Sequence, residues 1–198
     1  MNTEKTIYGE HLEELEKACG ELMTGIEVIR ENIKGFLGMD PVEHLLSRIK
    51  SDGSMREKCR RKGLPETAES ALMKIHDAIG IRVVCAFVDD VYAIRDRILT
   101  LPGVTLFEEK DYIRHAKPNG YRSLHLIVTL EAGYFAEIQL RTISMDTWAA
   151  LEHHLKYKKD VGGDMGLIVG ELKRCAEELA STDLSMQTIR DSIIGKEE

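Results

Sequence analysis

No apolar run in this 198-residue chain approaches the roughly 20 residues needed to span a bilayer. The N-terminal stretch MNTEKTIYGEHLEELEK is too charged for a signal peptide. The expectation is therefore a protein without a membrane anchor, located in the cytoplasm. Four cysteines, Cys19, Cys59, Cys85 and Cys175, lie far apart with no CxxC pair. That argues against a zinc knuckle and against a compact disulfide framework; Cys85, inside VVCAF, reads as a core thiol, and the set as reduced and structural. Positive charge is in deficit, 27 Lys and Arg against 34 Asp and Glu for a net −7. General affinity for nucleic acid usually needs a basic surface, so the whole molecule is not expected to bind it. Internal repeats and low-complexity linkers are also missing.

What is present is ordinary for a globular protein, 43% hydrophobic and 31% charged, and long enough to bury a sizeable core as one domain. The charge is uneven. Arg48 to Lys62, RIKSDGSMREKCRRK, sets seven Lys and Arg against Asp52 and Glu57, a local +5. Such a patch suits a small polyanion such as nucleotide phosphates; a solvated helix face is the plainer alternative.

Apolar spacings of three and four from Leu12 to Phe36 predict a helix over residues 7–36, closed by Gly38 and Pro41. A short strand is expected at 44–50. A helix follows to Lys62, capped by Ser51 or Asp52, and a second runs from Thr67 to His76. GIRVVCAF, 80–87, reads as a strand, 91–101 as a helix and 104–113 as a strand. Two more strands, 122–130 and 135–142, are joined around Glu131–Tyr134. A helix over 144–159, the breaker Gly162-Gly163 and a last helix over 165–194 complete the chain. The last helix carries apolar residues at heptad spacing: Ile168, Leu172, Cys175, Leu179, Met186, Ile189 and Ile193. The two terminal heptad helices either pack on each other and on the sheet or lend part of their seam to an oligomer. Trp148 and Leu155 are expected to face the core.

Strands alternate their side chains between faces. Leu124, Leu126, Val128 and Leu130 form one apolar row; Ala136, Ile138 and Leu140 form another. Burying both together requires odd residues to pair with odd, through an odd-length loop or a bulge. His125, Glu137, Gln139 and Arg141 then share a polar face. A polar row can simply meet solvent; with helices expected on both sides of the sheet, a covered carboxylate needs partners. Asp77, just before the GIRV strand, is a turn residue alone, but with Glu137 it offers two carboxylates for a divalent cation such as Mg²⁺, which also takes phosphate and water ligands. Ser54, Lys58 and Arg61, spaced i, i+4 and i+7, project from one helix face and suit a polyphosphate.

Four ordered blocks, SRIKSDGSMREKCRRKG, IHDAIGIRVVCAFVDDVY, EEKDYIRHAKPNGYRSLHL and FAEIQLRTISMDTWAALEHHLKYK, resemble the synthetase domain of RelA/SpoT proteins. The likeness spans about Leu45 to Lys159, with 1–40 and 164–195 as helical extensions of one domain. It implies an α/β (α+β) fold: a mixed sheet of about five strands flanked by helices, nucleotidyltransferase-like, with long terminal helices. The expected activity is that of a stand-alone small alarmone synthetase of the stringent response. It would move the β,γ-pyrophosphate of ATP to the ribose 3′-hydroxyl of GDP or GTP, with Mg²⁺. By resemblance, Arg48 and Arg82 sandwich adenine, and Lys50, Ser54, Lys58 and Arg61 hold ATP phosphates. Asp77 binds the metal; Glu137 is general base, second metal ligand, or both. Tyr121 stacks on guanine from a mobile loop, with Lys117, Asn119, His125 and Gln139 contacting the guanosine nucleotide. Arg122 reaches phosphate or braces the loop. Glu152 and His153 read as a structural pair. Small relatives are often homotetramers. The rivals are a toxic relative that pyrophosphorylates tRNA 3′ ends or adenosine nucleotides, and a silent nucleotide sensor.

Overall fold

The computed structural model describes residues 6–157 and 165–195. The breaker Gly162-Gly163 and the end of the helix expected to reach Lys159 lie outside the described residues. In chain order the elements are α1 (Leu12–Leu37), β1 (Val42–Ile49), α2 (Asp52–Arg61), β2 (Ile79–Cys85), α3 (Val88–Ile98), β3 (Val104–Asp111), β4 (Leu124–Leu130), β5 (Phe135–Thr142), α4 (Ile143–Tyr157) and α5 (Met165–Ile194). The five strands form one mixed sheet in the order β1-β2-β5-β4-β3, with β2 and β5 parallel at its centre and the remaining pairs antiparallel.

The hairpin register follows from the apolar pattern. Leu124 faces Leu140, His125 faces Gln139 and Ile127 faces Glu137, so odd does pair with odd. Leu124, Leu126, Val128, Ala136, Ile138 and Leu140 are all fully buried. They join Leu15, Leu22 and Ile26 of α1 and Val91, Ile94 and Ile98 of α3 in one core. Burying a large aliphatic side chain is worth about 1.5–3 kcal/mol, which is why a single-residue slip of this hairpin is excluded. Cover on the opposite face is incomplete: Arg82, His125, Glu137 and Gln139 stay half-buried.

Local signals explain most ends. Gly38 takes φ 70° and returns its N–H to the Lys34 carbonyl, closing α1. The Ser51 side chain, not Asp52, caps α2 by accepting from the Ser54 N–H. Asp52 instead accepts the Ile7 N–H at 2.6 Å, while the buried Tyr8 donates its hydroxyl to the Lys50 carbonyl at 2.7 Å. The start of the chain thus braces the β1–α2 turn.

Two expectations are corrected and one open alternative is narrowed. The helix expected from Thr67 to His76 contracts to one wide π-type turn at Ser70–Lys74. Ser70, Ala71 and Leu72 are consecutive and all buried, which a one-sided helix cannot arrange. Of the two alternatives for the α5 seam, full packing on this chain does not hold: Ile168, Leu172 and Leu179 are half-buried and its C-terminal part is uncovered. Ala176, Asp183 and Arg190 are buried, whereas Met186, Ile189 and Ile193 are exposed and so is Cys175. Polar anchors set this rotation: Thr142 donates its hydroxyl to Asp183 at 2.5 Å, and Arg190 pairs with Asp89. Leu155 is exposed, while Trp148 is buried and donates its indole N–H to the Leu172 carbonyl at 2.9 Å.

Candidate active site

The sheet register builds a cleft on the polar face. Arg48 opposes Gly80, Gly80 opposes Glu137, and Arg82 opposes Gln139. The resulting cavity of ≈ 170 Å³ is lined by Arg48, Lys50, Asp77, Gly80, Arg82, Glu137 and Gln139, among others. Gly80 leaves the floor between the Arg48 and Glu137 side chains open. The two acidic residues singled out from the sequence therefore meet in one cleft, although they come from a turn and from a strand 60 residues apart.

Asp77 sits among cations. The ammonium groups of Lys50 and Lys58 both reach its Oδ2 at 2.5 Å. Its Oδ1 is buried without a hydrogen-bond partner, a costly state that an added cation would relieve. Among the described residues no group of three or more His, Cys, Asp or Glu forms a metal cage. A two-carboxylate site completed by phosphate and water fits Mg²⁺, which seldom uses an all-protein cage. On α2, Lys58 reaches this site; Ser54 accepts a hydrogen bond from the Ser51 hydroxyl and is exposed, as is Arg61. Neither Ser54 nor Arg61 lines the cleft.

A chain of hydrogen bonds runs along the polar face. Arg141 Nη2 donates to the Tyr121 hydroxyl at 2.7 Å, which lies 2.8 Å from His125 Nε2. His125 Nδ1 lies 3.3 Å from Glu137 Oε1. Since Arg only donates and carboxylate only accepts, the Tyr121 hydroxyl accepts from Arg141 and His125 donates from Nδ1 to Glu137. Gln139 Nε2 donates to the other Glu137 oxygen at 2.9 Å. Burial pushes the Glu137 carboxyl up, but the hydrogen bond and charge of His125, the bond from Gln139 and the charge of Lys58 outweigh it and hold the group at about 2.

The Tyr121 loop is held by hydrogen bonds in this conformation. Lys117 and Tyr121 close a turn, with the Lys117 N–H donating to the Tyr121 carbonyl at 3.1 Å. Asn119 Oδ1 accepts the Tyr121 N–H, and Asn119 Nδ2 donates to Glu152 Oε1 at 3.1 Å, giving Glu152 its structural role. Gly120 packs on α5. Lys117 Nζ stands 4.6 Å from the Tyr121 ring centre and 4.4 Å from that of Tyr112. Arg122 donates to the Ile113 carbonyl at 2.8 Å, bracing the loop against the end of β3.

Two functional candidates escaped sequence reasoning. Arg141 was placed on the polar face but given no role; Asp146 was not singled out at all. Asp146 Oδ1 lies 3.1 Å from Arg141 Nη1 and 3.3 Å from Arg82 Nη1. The available signal was an acid in the first turn of the helix directly after an Arg-bearing strand.

The family model described as "Region found in RelA / SpoT proteins" matches residues 47–162. The GTP pyrophosphokinase YwaC of Bacillus subtilis is 37% identical over 185 residues, covering 89% of this chain and 87% of that protein. The structure of a GTP pyrophosphokinase family protein from Streptococcus pneumoniae is similar with a TM-score of 0.80 at 33% identity, covering 98% of this chain and 97% of that one. Small alarmone synthetase 1 from Bacillus subtilis, bound to its product pppGpp, is similar with a TM-score of 0.75 at 31% identity, over 90% and 94% of the two chains.

Proposed function

The chain belongs to the RelA/SpoT family, and from that premise we infer that it is a small alarmone synthetase of the stringent response. It transfers the β,γ-pyrophosphate of ATP to the ribose 3′-hydroxyl of GDP or GTP, giving AMP and ppGpp or pppGpp. The observation that carries this reading is the cleft where Arg48, Lys50, Asp77, Arg82 and Glu137 converge, joined through His125 to Tyr121.

The 3′-oxygen bonds to the β-phosphorus, the bond from that phosphorus to the α–β bridging oxygen breaks, and AMP leaves. Such transfers need in-line positioning and charge neutralisation more than covalent help. Arg48 and Arg82 flank the space for adenine, since a guanidinium plane stacks well on an aromatic ring. Lys50 and Lys58 turn from Asp77 to the donor phosphates, with Ser54 and Arg61 farther along the same helix. Tyr121 offers its ring to guanine, and Lys117, Asn119, His125 and Gln139 surround the acceptor nucleotide. Arg122 holds the loop. Glu137, held ionised, aligns the 3′-hydroxyl and accepts its proton as the new bond forms. Asp77 and Glu137 would hold Mg²⁺, which supplies charge neutralisation on the transferring group.

The assembly is a homo-oligomer, a tetramer by family resemblance. The exposed apolar residues Met186, Ile189 and Ile193, which share one side of α5, are the surface for it, because exposed apolar patches mark association sites. No helix among the described residues is long and apolar enough to cross a membrane.

The test is incubation with labelled ATP and Mg²⁺ and, separately, GDP, GTP, ATP or tRNA. Label on the guanosine nucleotide with release of AMP is the expected result. Label on tRNA or adenosine nucleotide alone, or no transfer with nucleotide still bound, overturns the reading.

A further inference from the structure

We propose that Asp146 is a positioning residue that couples the two nucleotide sites, tying Arg82 on the donor side to Tyr121 on the acceptor side through Arg141. The inference rests on the synthetase reading above and names how its two halves communicate.

One carboxylate oxygen carries the link. Asp146 Oδ1 accepts from Arg141 Nη1 at 3.1 Å and lies 3.3 Å from Arg82 Nη1. The Arg141 side chain is only 6% exposed, so its charge requires a fixed counter-ion. Its other donors go to neutral groups: Nη2 to the Tyr121 hydroxyl at 2.7 Å and to Gln139 Oε1 at 2.9 Å, and Nε to the Ser123 hydroxyl at 3.3 Å. Asp146 is thus the charged partner that sets where Arg141 sits, and Arg141 sets where the Tyr121 hydroxyl sits.

Arg82 is held differently. Its side chain is 39% exposed and its Nε is buried without a partner. Among the described residues its ion pair is this one contact at Nη1, so the guanidinium is less tightly held than that of Arg141. A purine stacked on that plane would fix it, and with it the shared Asp146 oxygen. The strand–helix corner that carries Asp146 is rigid: the Thr142 hydroxyl accepts the Met145 N–H at 3.2 Å while donating to Asp183. Displacement at Arg82 therefore passes to Arg141 rather than being absorbed by the backbone. Coupling of this kind is reciprocal: each nucleotide tightens the other by the same factor.

The experiment measures GDP binding with and without a saturating non-hydrolysable ATP analogue and Mg²⁺, and ATP-analogue binding with and without GDP. It uses the wild-type chain and Asp146→Asn, with the thermal midpoint recorded for each. In the wild type each ligand is expected to tighten the other about 5- to 20-fold, within the usual range of such couplings. In Asp146→Asn the factor falls below about twofold, with each nucleotide alone still bound. Should Asp146→Asn fail to fold, Asp146→Glu decides. It keeps the charge beside Arg141 but displaces the shared oxygen, so the fold survives and the coupling falls to less than half. Wild-type coupling retained in the variant that folds overturns the proposal, as does a wild-type chain that binds both nucleotides independently. A loss of binding that merely tracks a lowered thermal midpoint also overturns it, because that is a structural ion pair. A wild-type chain that binds neither nucleotide defeats the synthetase reading itself and the coupling with it.

Discussion

The ammonium of Lys58 lies 2.5 Å from Oδ2 of Asp77, and its charge also helps hold Glu137 ionised. One lysine on α2 therefore serves both carboxylates of the cleft before any phosphate arrives. Lys50 shares the same Asp77 oxygen. Removing the Lys58 charge leaves Asp77 with one cation and, in the proposed donor site, takes one from the phosphates. Hydrogen bonds to charged groups are worth about 1.5–3 kcal/mol. Lys58→Met should thus raise the KM for ATP by about tenfold to a hundredfold, and the KM for GDP by much less. Steady-state kinetics with each nucleotide varied in turn checks this; equal changes in both would place Lys58 outside the donor site.

Glu137 gives a pH prediction with a definite sign. Its carboxyl is lowered from 4.5 to about 2 on folding, with burial opposing and His125, Gln139 and Lys58 prevailing. A depressed carboxyl contributes stability that is fully present above pH 4.5 and is lost as pH falls toward 2. Glu137→Gln should remove that part of the acid dependence, visible in denaturant midpoints measured from pH 3 to 7. In the free enzyme Glu137 stays ionised well below neutrality. An acid limb of kcat/KM near pH 6 must therefore belong to another group, and such a limb should persist in the residual activity of Glu137→Gln. That activity is expected to fall about 10²–10⁴-fold, the range for losing a positioned base. Turnover undiminished in the variant would remove Glu137 from the chemistry.

How much of this was legible in the sequence depended on whether the signal was local. The hairpin register was legible because alternation leaves one pairing that buries Leu124–Leu140 and Leu126–Ile138 together. The meeting of Asp77 and Glu137 was inferred from two separate blocks, and the parallel pairing of β2 with β5 puts both on one cleft. Which of the two alternatives for the α5 seam holds was not legible, because apolar periodicity shows a stripe but not which side is covered. Asp183 and Arg190, both buried and ion-paired or hydrogen-bonded, turned the stripe outward. Arg141 could be assigned to a face, yet its partners come from a loop, a strand and a helix, and no spacing rule announces such a junction. The Thr67–His76 helix failed for a related reason: propensity favoured it, while three consecutive buried residues required a wider turn.

The outward stripe of α5 makes its own prediction. Met186 and Ile189 are each 51% exposed, so charging them costs the isolated fold little but blocks an apolar contact between copies. Met186→Glu with Ile189→Glu should lower the mass read by light scattering at a fixed concentration while leaving the helical content unchanged. An unchanged mass would show that subunits, where they associate, use another surface.

Gly120 is where the fold grips the loop that carries Tyr121, the proposed acceptor-side tyrosine. Its φ is +92°, and a Cβ there would sit 2.7 Å from the Ala176 side chain and 3.0 Å from the Lys173 backbone. An alanine would carry the left-handed backbone penalty, about 1–2 kcal/mol. Overpacking against α5 adds about 1–3 kcal/mol. Gly120→Ala should therefore destabilise the protein by about 2–5 kcal/mol, read from denaturant unfolding. The strain falls next to Tyr121, whose hydroxyl is fixed by Arg141 while its backbone follows Gly120, so the ring must tilt. Loss of acceptor binding should then exceed loss of donor binding: KM for GDP rises several-fold more than KM for ATP. Proportional loss of both would mean that the loop yields as a whole and does not aim the ring.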